Sequence, residues 1–255
     1  MNEFRKVAVR TALESGRIIK RSVGKVTKVA YKGRDNIVTD VDKRSEDLII
    51  RRITSSFPNH SILSEESSPR IKDSPYRWII DPLDGTTNFA HAFPFFCVSI
   101  GLEFNGEIVL GVIYDPMRDE LFMAEKGKGA LLNGKKIRVS RVKDLSTGFL
   151  ATGFSYGINS KDRNIKYFKD LLVMTQAIRR AGSAALDLCY VACARFDGFW
   201  EMNLHPWDSA AGYLVVSEAG GVVTRFNGTA YTPYDNDILA TNGLLHDQMI
   251  KILTK

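Results

Sequence analysis

A chain of 255 residues, 44% apolar and 25% charged, is long enough for one large domain or two intimately packed lobes and has the composition of an ordinary globular protein. Its formal charge of +6, from 35 basic and 29 acidic residues, favours anionic ligands and tolerates nucleic acid while proving neither. Charges spread through Met1 to Lys20 exclude a secretory signal, no apolar stretch is long enough to cross a bilayer, and Cys97, Cys189 and Cys193 lack zinc spacing, which leaves buried reduced thiols in a cytoplasmic protein.

From the N-terminus, Phe4, Val7, Ala8, Ala12, Ile18 and Ile19 are interspersed with charges over residues 2–22, the pattern of an amphipathic helix. Lys25 to Lys32 reads as an extended connector and Lys32-Gly33-Arg34-Asp35-Asn36 as a turn. A second helix opens within Ile37-Val38-Thr39-Asp40-Val41-Asp42 and runs to about Ser56, stopped by Pro58. Thr39 with an acid three residues later has capping-box spacing, so Asp42 taken alone is a helix cap. Ser61-Ile62-Leu63-Ser64 reads as a strand ending in Glu65-Glu66, acids placed where a layered α/β protein sets its ligands. A polar loop spans Ser67 to Pro75.

Trp78-Ile79-Ile80 reads as the end of a buried strand. Asp81 and Asp84 follow, with Pro82 fixing φ between them and Gly85 permitting a tight turn. Thr86 and Thr87 then open a short helix. Strand, acidic turn and helix N-terminus together can hold a divalent cation on oxygen ligands and a phosphate on backbone N–H groups. That is equipment for phosphoryl chemistry.

From Phe95 to Val139 the pattern is β, and Asn105-Gly106 and Asn133-Gly134 are hairpin signals, so this sheet is expected to be largely antiparallel. Asp115 and Asp119-Glu120 belong to turns. The second half alternates strands near 148–154, 177–180, 196–202, 222–223 and 238–240 with helices near 162–173, 183–194, 206–219 and 244–253. The helix from Ser183 is apolar on nearly every face and therefore buried. The expected layout is a single catalytic domain over residues 1–255, with two packed lobes of approximately 1–143 and 144–255.

Pro206 takes the first position of its helix and Asp208 falls in the first turn, where dipole complementarity alone is worth about 0.3–1 kcal/mol. Joined with Glu65, Asp81 and Asp84, it completes an acidic pocket drawn from three separated segments. Such a pocket repels itself without cations. None of the four histidines, His60, His91, His205 and His246, is placed for a Ser/His/Asp or Cys/His constellation; His205, nearest the acids, serves capping or packing.

Asp81-Pro82-Leu83-Asp84-Gly85-Thr86-Thr87-Asn88-Phe89, Pro206-Trp207-Asp208-Ser209-Ala210-Ala211-Gly212 and Glu218-Ala219-Gly220-Gly221 resemble the inositol monophosphatase family. Asp40-Val41-Asp42, Ser64-Glu65-Glu66-Ser67 and Gly182-Ser183-Ala184-Ala185-Leu186-Asp187-Leu188 sit at matching places, so the likeness spans nearly the whole chain; Ser64 stands where many relatives have glycine. The resemblance implies an α+β, five-layered αβαβα sugar-phosphatase fold with mixed, largely antiparallel sheets, a homodimer, lithium sensitivity and two or three Mg²⁺ ions. It places Glu65, Asp81 and the Leu83 carbonyl on the first ion, and Asp81, Asp84 and Asp208 on the second. Glu65, with Asp42 through water, serves a weaker third. Thr86 orients the nucleophilic water, the Gly85 and Thr86 amides hold phosphate, and Ala184, Glu201 and Asp208 contact substrate.

The implied reaction is Mg²⁺-dependent hydrolysis of myo-inositol monophosphate, or a related small sugar phosphate, by a metal-activated water. Relatives of this fold also cleave fructose 1,6-bisphosphate, histidinol phosphate or 3′-phosphoadenosine 5′-phosphate, and Arg179-Arg180 with the Ser67–Pro75 loop is a candidate contact for a second phosphate. Some bacterial relatives join transcription complexes on ribosomal RNA, which makes a regulatory binding module the alternative of another class. The retained acids argue against it as the main role.

Overall fold

The computed structural model describes residues 1–25, 29–31, 37–155 and 162–255. The expected turn over Lys32–Asn36, and residues 26–28 of the expected connector, lie outside the described residues. The chain begins with α1 (Asn2–Ser22), β1 (Val29–Tyr31), β2 (Ile37–Thr39), α2 (Asp40–Ser56), β3 (Ser61–Ser64), β4 (Tyr76–Asp84) and α3 (Thr86–Ala90). It continues through β5 (Cys97–Phe104), β6 (Glu107–Asp115), β7 (Glu120–Glu125), β8 (Ala130–Leu132), β9 (Lys135–Lys136), β10 (Phe149–Thr152) and α4 (Arg163–Leu172). It closes with β11 (Ala177–Arg179), α5 (Ala184–Ala192), β12 (Gly198–Met202), α6 (Pro206–Glu218), β13 (Val222–Thr224), β14 (Asp237–Thr241) and α7 (His246–Leu253).

Among the described residues, β3 to β9 form a seven-stranded sheet in chain order, antiparallel except for the parallel β3–β4 pair. A five-stranded sheet has the order β11-β10-β12-β14-β13 and is mixed, with β10 parallel to both neighbours. Helices α1 and α2 cover the outer face of the larger sheet, α5 and α6 fill the space between the sheets, and α4 and α7 meet on the far face of the smaller one. This is the α+β arrangement expected, five layers in the order αβαβα.

The strands of the larger sheet read as apolar runs because helices cover both faces. Trp78 and Ile80 enter the cluster under α1 and α2, whereas Ile79, one residue out of phase, joins the core shared with α5 and α6. The predicted hairpins form at Asn105-Gly106 and Asn133-Gly134, with φ of 50° and 81° in the first and 47° and 77° in the second. Helix α6 lies almost flush on the sheet: a Cβ at Gly111 would stand 2.6 Å from the Ala211 carbonyl oxygen. Its far end is fastened by Glu218, whose carboxylate accepts from the Gly127 and Gly129 amides at 2.7 Å each. Cys97 and Cys189 are buried free thiols as expected; Cys193, beyond the last residue of α5, is only half-buried.

Candidate active site

The acidic turn is a bulge inside a strand, so β4 continues to Asp84 where the sequence reading ended it at Ile80. Pairing with β5 holds through Asp81↔Ser99, slips, and resumes at Asp84↔Cys97. Pro82, which has no N–H to give the ladder, occupies the extra length. Residues three apart on a regular strand face opposite sides. The bulge cancels that parity, and Asp81 and Asp84 line the same cavity.

Each acid is then fixed by donors. Asp81 Oδ1 accepts the Leu83 amide at 2.9 Å. Asp84 Oδ2 accepts the Ser183 hydroxyl at 2.6 Å and the Ala185 amide at 2.8 Å, both from the start of α5. Asp208 Oδ2 accepts the His205 amide at 2.7 Å across the first turn of α6, with the His205 ring stacked on Trp207. Gly85 turns the chain at φ +94°, where any Cβ would also lie 2.9 Å from the Phe95 carbonyl oxygen.

Thr86 Oγ1 stands 2.9 Å from Asp42 Oδ1 and 3.0 Å from the Leu83 carbonyl oxygen; its single proton serves one acceptor at a time. Asp42 is fully buried, and its Oδ2 accepts the Thr39 amide at 2.8 Å, completing the predicted capping box. It therefore caps α2 with one oxygen and reaches Thr86 with the other.

A cavity of about 720 Å³ is lined by Glu65, Asp81, Leu83, Asp84, Gly85, Thr86, Ala184, Glu201 and Asp208, while Asp42, bonded to Thr86, does not line it. Burial, then Glu65, Asp84 and Asp208, pushes Asp81 well above the usual carboxylate range. Burial raises Asp84 to about 6 against the pull of its donors. Asp208 is raised by the same loss of water and then by Asp84, Glu65 and Glu201. Among the described residues, no Lys or Arg forms a salt bridge with Asp81, Asp84 or Asp208.

This donor set suits magnesium. Asp81 Oδ2, Asp84 Oδ1 and Asp208 Oδ1 accept no hydrogen bond among the described residues, so a hard oxygen remains on each acid. Among the described residues, no group of three or more His, Cys, Asp or Glu side chains stands ready to hold an ion by itself. A cation here would draw on these carboxylates together with other oxygens, such as backbone carbonyls and water, as Mg²⁺ does and structural zinc does not.

A second group of residues lining the cavity is built differently. Glu201, on β12, is buried and raised to about 8, chiefly by loss of water. Gly153 makes room for it: a Cβ there would fall 2.1 Å from Glu201 Oε2. Arg180 lines the same cavity, on a segment held by Asn88, whose side-chain amide donates to the Phe95 and Ala181 carbonyls at 2.7 and 2.8 Å. Arg179 points elsewhere, over the Phe149 ring at 4.8 Å, so the expected arginine pair contributes one member. Asp187, 1% exposed, lines the cavity too. Sequence reasoning gave it no role; the available signal was one acid inside an otherwise apolar helix. His60 and His246 lie in packing positions, the first accepting from Trp78 Nε1 at 3.1 Å and the second between Thr224 and Thr241.

Comparison with known proteins gives one answer across the chain. A profile of the inositol monophosphatase family matches residues 1–255. An inositol-1-monophosphatase of Synechocystis sp. is 44% identical over 250 residues, 97% of this chain and 87% of that protein. A putative Nus factor SuhB of Neisseria meningitidis is 42% identical over 258 positions, covering 100% of this chain and 99% of the other. The crystal structure of the extragenic suppressor protein suhB from Bartonella henselae superposes with a TM-score of 0.95 at 42% identity, over 99% of both chains.

Proposed function

Because the chain belongs to the inositol monophosphatase family, and so is a phosphatase of that type, we propose that it hydrolyses myo-inositol monophosphate or a closely related small sugar monophosphate with Mg²⁺. The observation that carries this reading is the convergence of Asp81, Asp84 and Asp208 on one cavity, each tied to a backbone amide and none bridged to a base among the described residues. Glu65, Asp81 and the Leu83 carbonyl would hold one ion, Asp81, Asp84 and Asp208 a second, and Glu65 with Asp42 through water a third. When bound, Mg²⁺ offsets charge on the phosphoryl oxygens and lowers the pKa of an attacking water.

The chain's own residues do the orienting. When Thr86 donates to Asp42, its oxygen is left as an acceptor toward the cavity and aligns the attacking water. The Gly85 and Thr86 amides receive the phosphate, and Ala184 and Glu201 face the leaving group. Lithium sensitivity, a homodimer, a cytoplasmic setting and one domain of two lobes belong to the same reading.

Phosphate release from inositol 1-phosphate, fructose 1,6-bisphosphate, histidinol phosphate and 3′-phosphoadenosine 5′-phosphate, with and without chelator, tests it. Inositol 1-phosphate should lead and chelator should abolish turnover; turnover that survives chelation overturns the mechanism. The Nus factor name of the Neisseria relative favours a second reading, a regulatory module binding RNA. Tight RNA binding with a steep salt slope, and no phosphatase activity, would reverse the ranking.

A further inference from the structure

Asp187 is a carboxylate that the fold has no structural use for. It lies in the first turn of α5, where an exposed acid gains from the helix dipole, yet it is 1% exposed and its Oδ1 has no hydrogen-bond partner. Described residues donate no hydrogen bond to either of its oxygens. Removing an unpaired charge from water is costly, and nearby polar groups that gain nothing from it are normally replaced by apolar ones. The rest of α5 is apolar and packed into the central core. Asp187 is the exception, and it borders the cavity.

Its surroundings say what the exception is for. Glu201 and Asp84 raise it further, after burial, and Arg180 opposes them. Glu201 is likewise buried with no donor among the described residues, in a space kept open by Gly153. Beside the acids that carry hydrogen bonds, the cavity lining thus holds two carboxyl groups without donors among the described residues and one guanidinium. A second phosphoryl group presents only acceptors and negative charge: it can take at most the one proton a carboxyl holds, and it leaves the remaining carboxyl oxygens without a donor. A polyol presents hydroxyl donors, which both can accept from, while Arg180 donates to a hydroxyl oxygen.

We infer that Asp187 is a specificity-determining residue: with Glu201, and against Arg180, it forms a subsite that takes a hydroxyl-rich leaving group and refuses a second phosphate. This rests on the phosphatase reading above and deepens it. It also predicts which of the family's reactions this chain disfavours.

The test compares wild type with Asp187→Asn on inositol 1-phosphate, fructose 1,6-bisphosphate and para-nitrophenyl phosphate, all with Mg²⁺. KM for inositol 1-phosphate should rise about fivefold with kcat within about twofold. Constants for para-nitrophenyl phosphate, which has no hydroxyls to read, should hold, and the preference for inositol 1-phosphate over the bisphosphate should shrink. The thermal midpoint should not fall, since the carboxyl that is replaced accepts no hydrogen bond among the described residues. An equal loss on all three substrates, or a lower midpoint with unchanged preference, marks a structural role and overturns the inference. Asp187→Ala gives the same comparison if the Asn protein does not fold. A wild-type protein inactive on every monoester sinks the phosphatase reading itself; an active one whose preference Asp187→Asn and Asp187→Ala leave intact sinks only this inference.

Discussion

Two groups of acids lining one cavity use the same residue type in opposite ways. Asp81, Asp84 and Asp208 each have one oxygen fixed by a backbone amide or hydroxyl and one left over. Glu201 and Asp187 are buried and accept no hydrogen bond among the described residues. Acids that must position charge within tenths of an ångström are braced by directional bonds. Acids that must read a ligand keep their bonding capacity for it. The contrast separates rate from selectivity, and each can be damaged without the other.

The most severe break should come in the braced group. Asp84→Asn keeps the donors from Ser183 and Ala185 satisfied by the amide oxygen but removes charge; kcat/KM on inositol 1-phosphate should fall on the order of 10³-fold with the fold intact. A loss under about tenfold would remove Asp84 from the reaction. Next in size is Thr86→Val, expected to lower kcat about 10²-fold with KM nearly unchanged, while Thr86→Ser recovers most of the activity. If Ser fails to rescue, the hydroxyl is not what matters there.

The unbraced group should yield smaller, selective effects. Gly153→Ala drives a methyl into the Glu201 carboxyl, so KM for the sugar phosphate should rise about tenfold while para-nitrophenyl phosphate is spared. Losses of equal size on both substrates would erase the distinction between the two groups. The last effect is thermodynamic and leaves catalysis aside. Glu201 titrates near 8 when folded and near 4.5 when unfolded. Between those values the folded protein keeps a proton that the unfolded chain has released, so stability falls as pH rises, by up to about 1.4 kcal/mol per unit. Urea midpoints in chelator at about pH 5 and pH 8 should therefore differ less for Glu201→Gln than for wild type; identical slopes would show that Glu201 is ionised in the folded protein.

Much of this was legible in the chain because its signals are local. The Asn-Gly turns, the apolar runs with their phase, the Thr39–Asp42 cap and Pro206 at a helix start are each decided by neighbours in sequence. The bulge at Pro82 was half legible: proline and glycine announced a turn, but only pairing with β5 shows the strand resuming at Asp84. Asp187, Gly153 and the divergence of Arg179 from Arg180 were not legible. Each depends on what packs against it from another part of the chain, and an acid in the first turn of a helix has an ordinary local explanation. Sequence spacing reveals which acids are gathered; it does not reveal which are left without a donor.

Helices α5 and α6 bring Ser183, Ala185 and Asp208 from the last third of the chain to Asp81 and Asp84 on β4. An emerging polypeptide that has completed only its larger sheet owns half a catalyst, with acids that nothing yet aims. Turnover switches on when the central pair of helices seats, which makes enzymatic activity a reporter of finished assembly and leaves fragments and misassembled chains chemically silent.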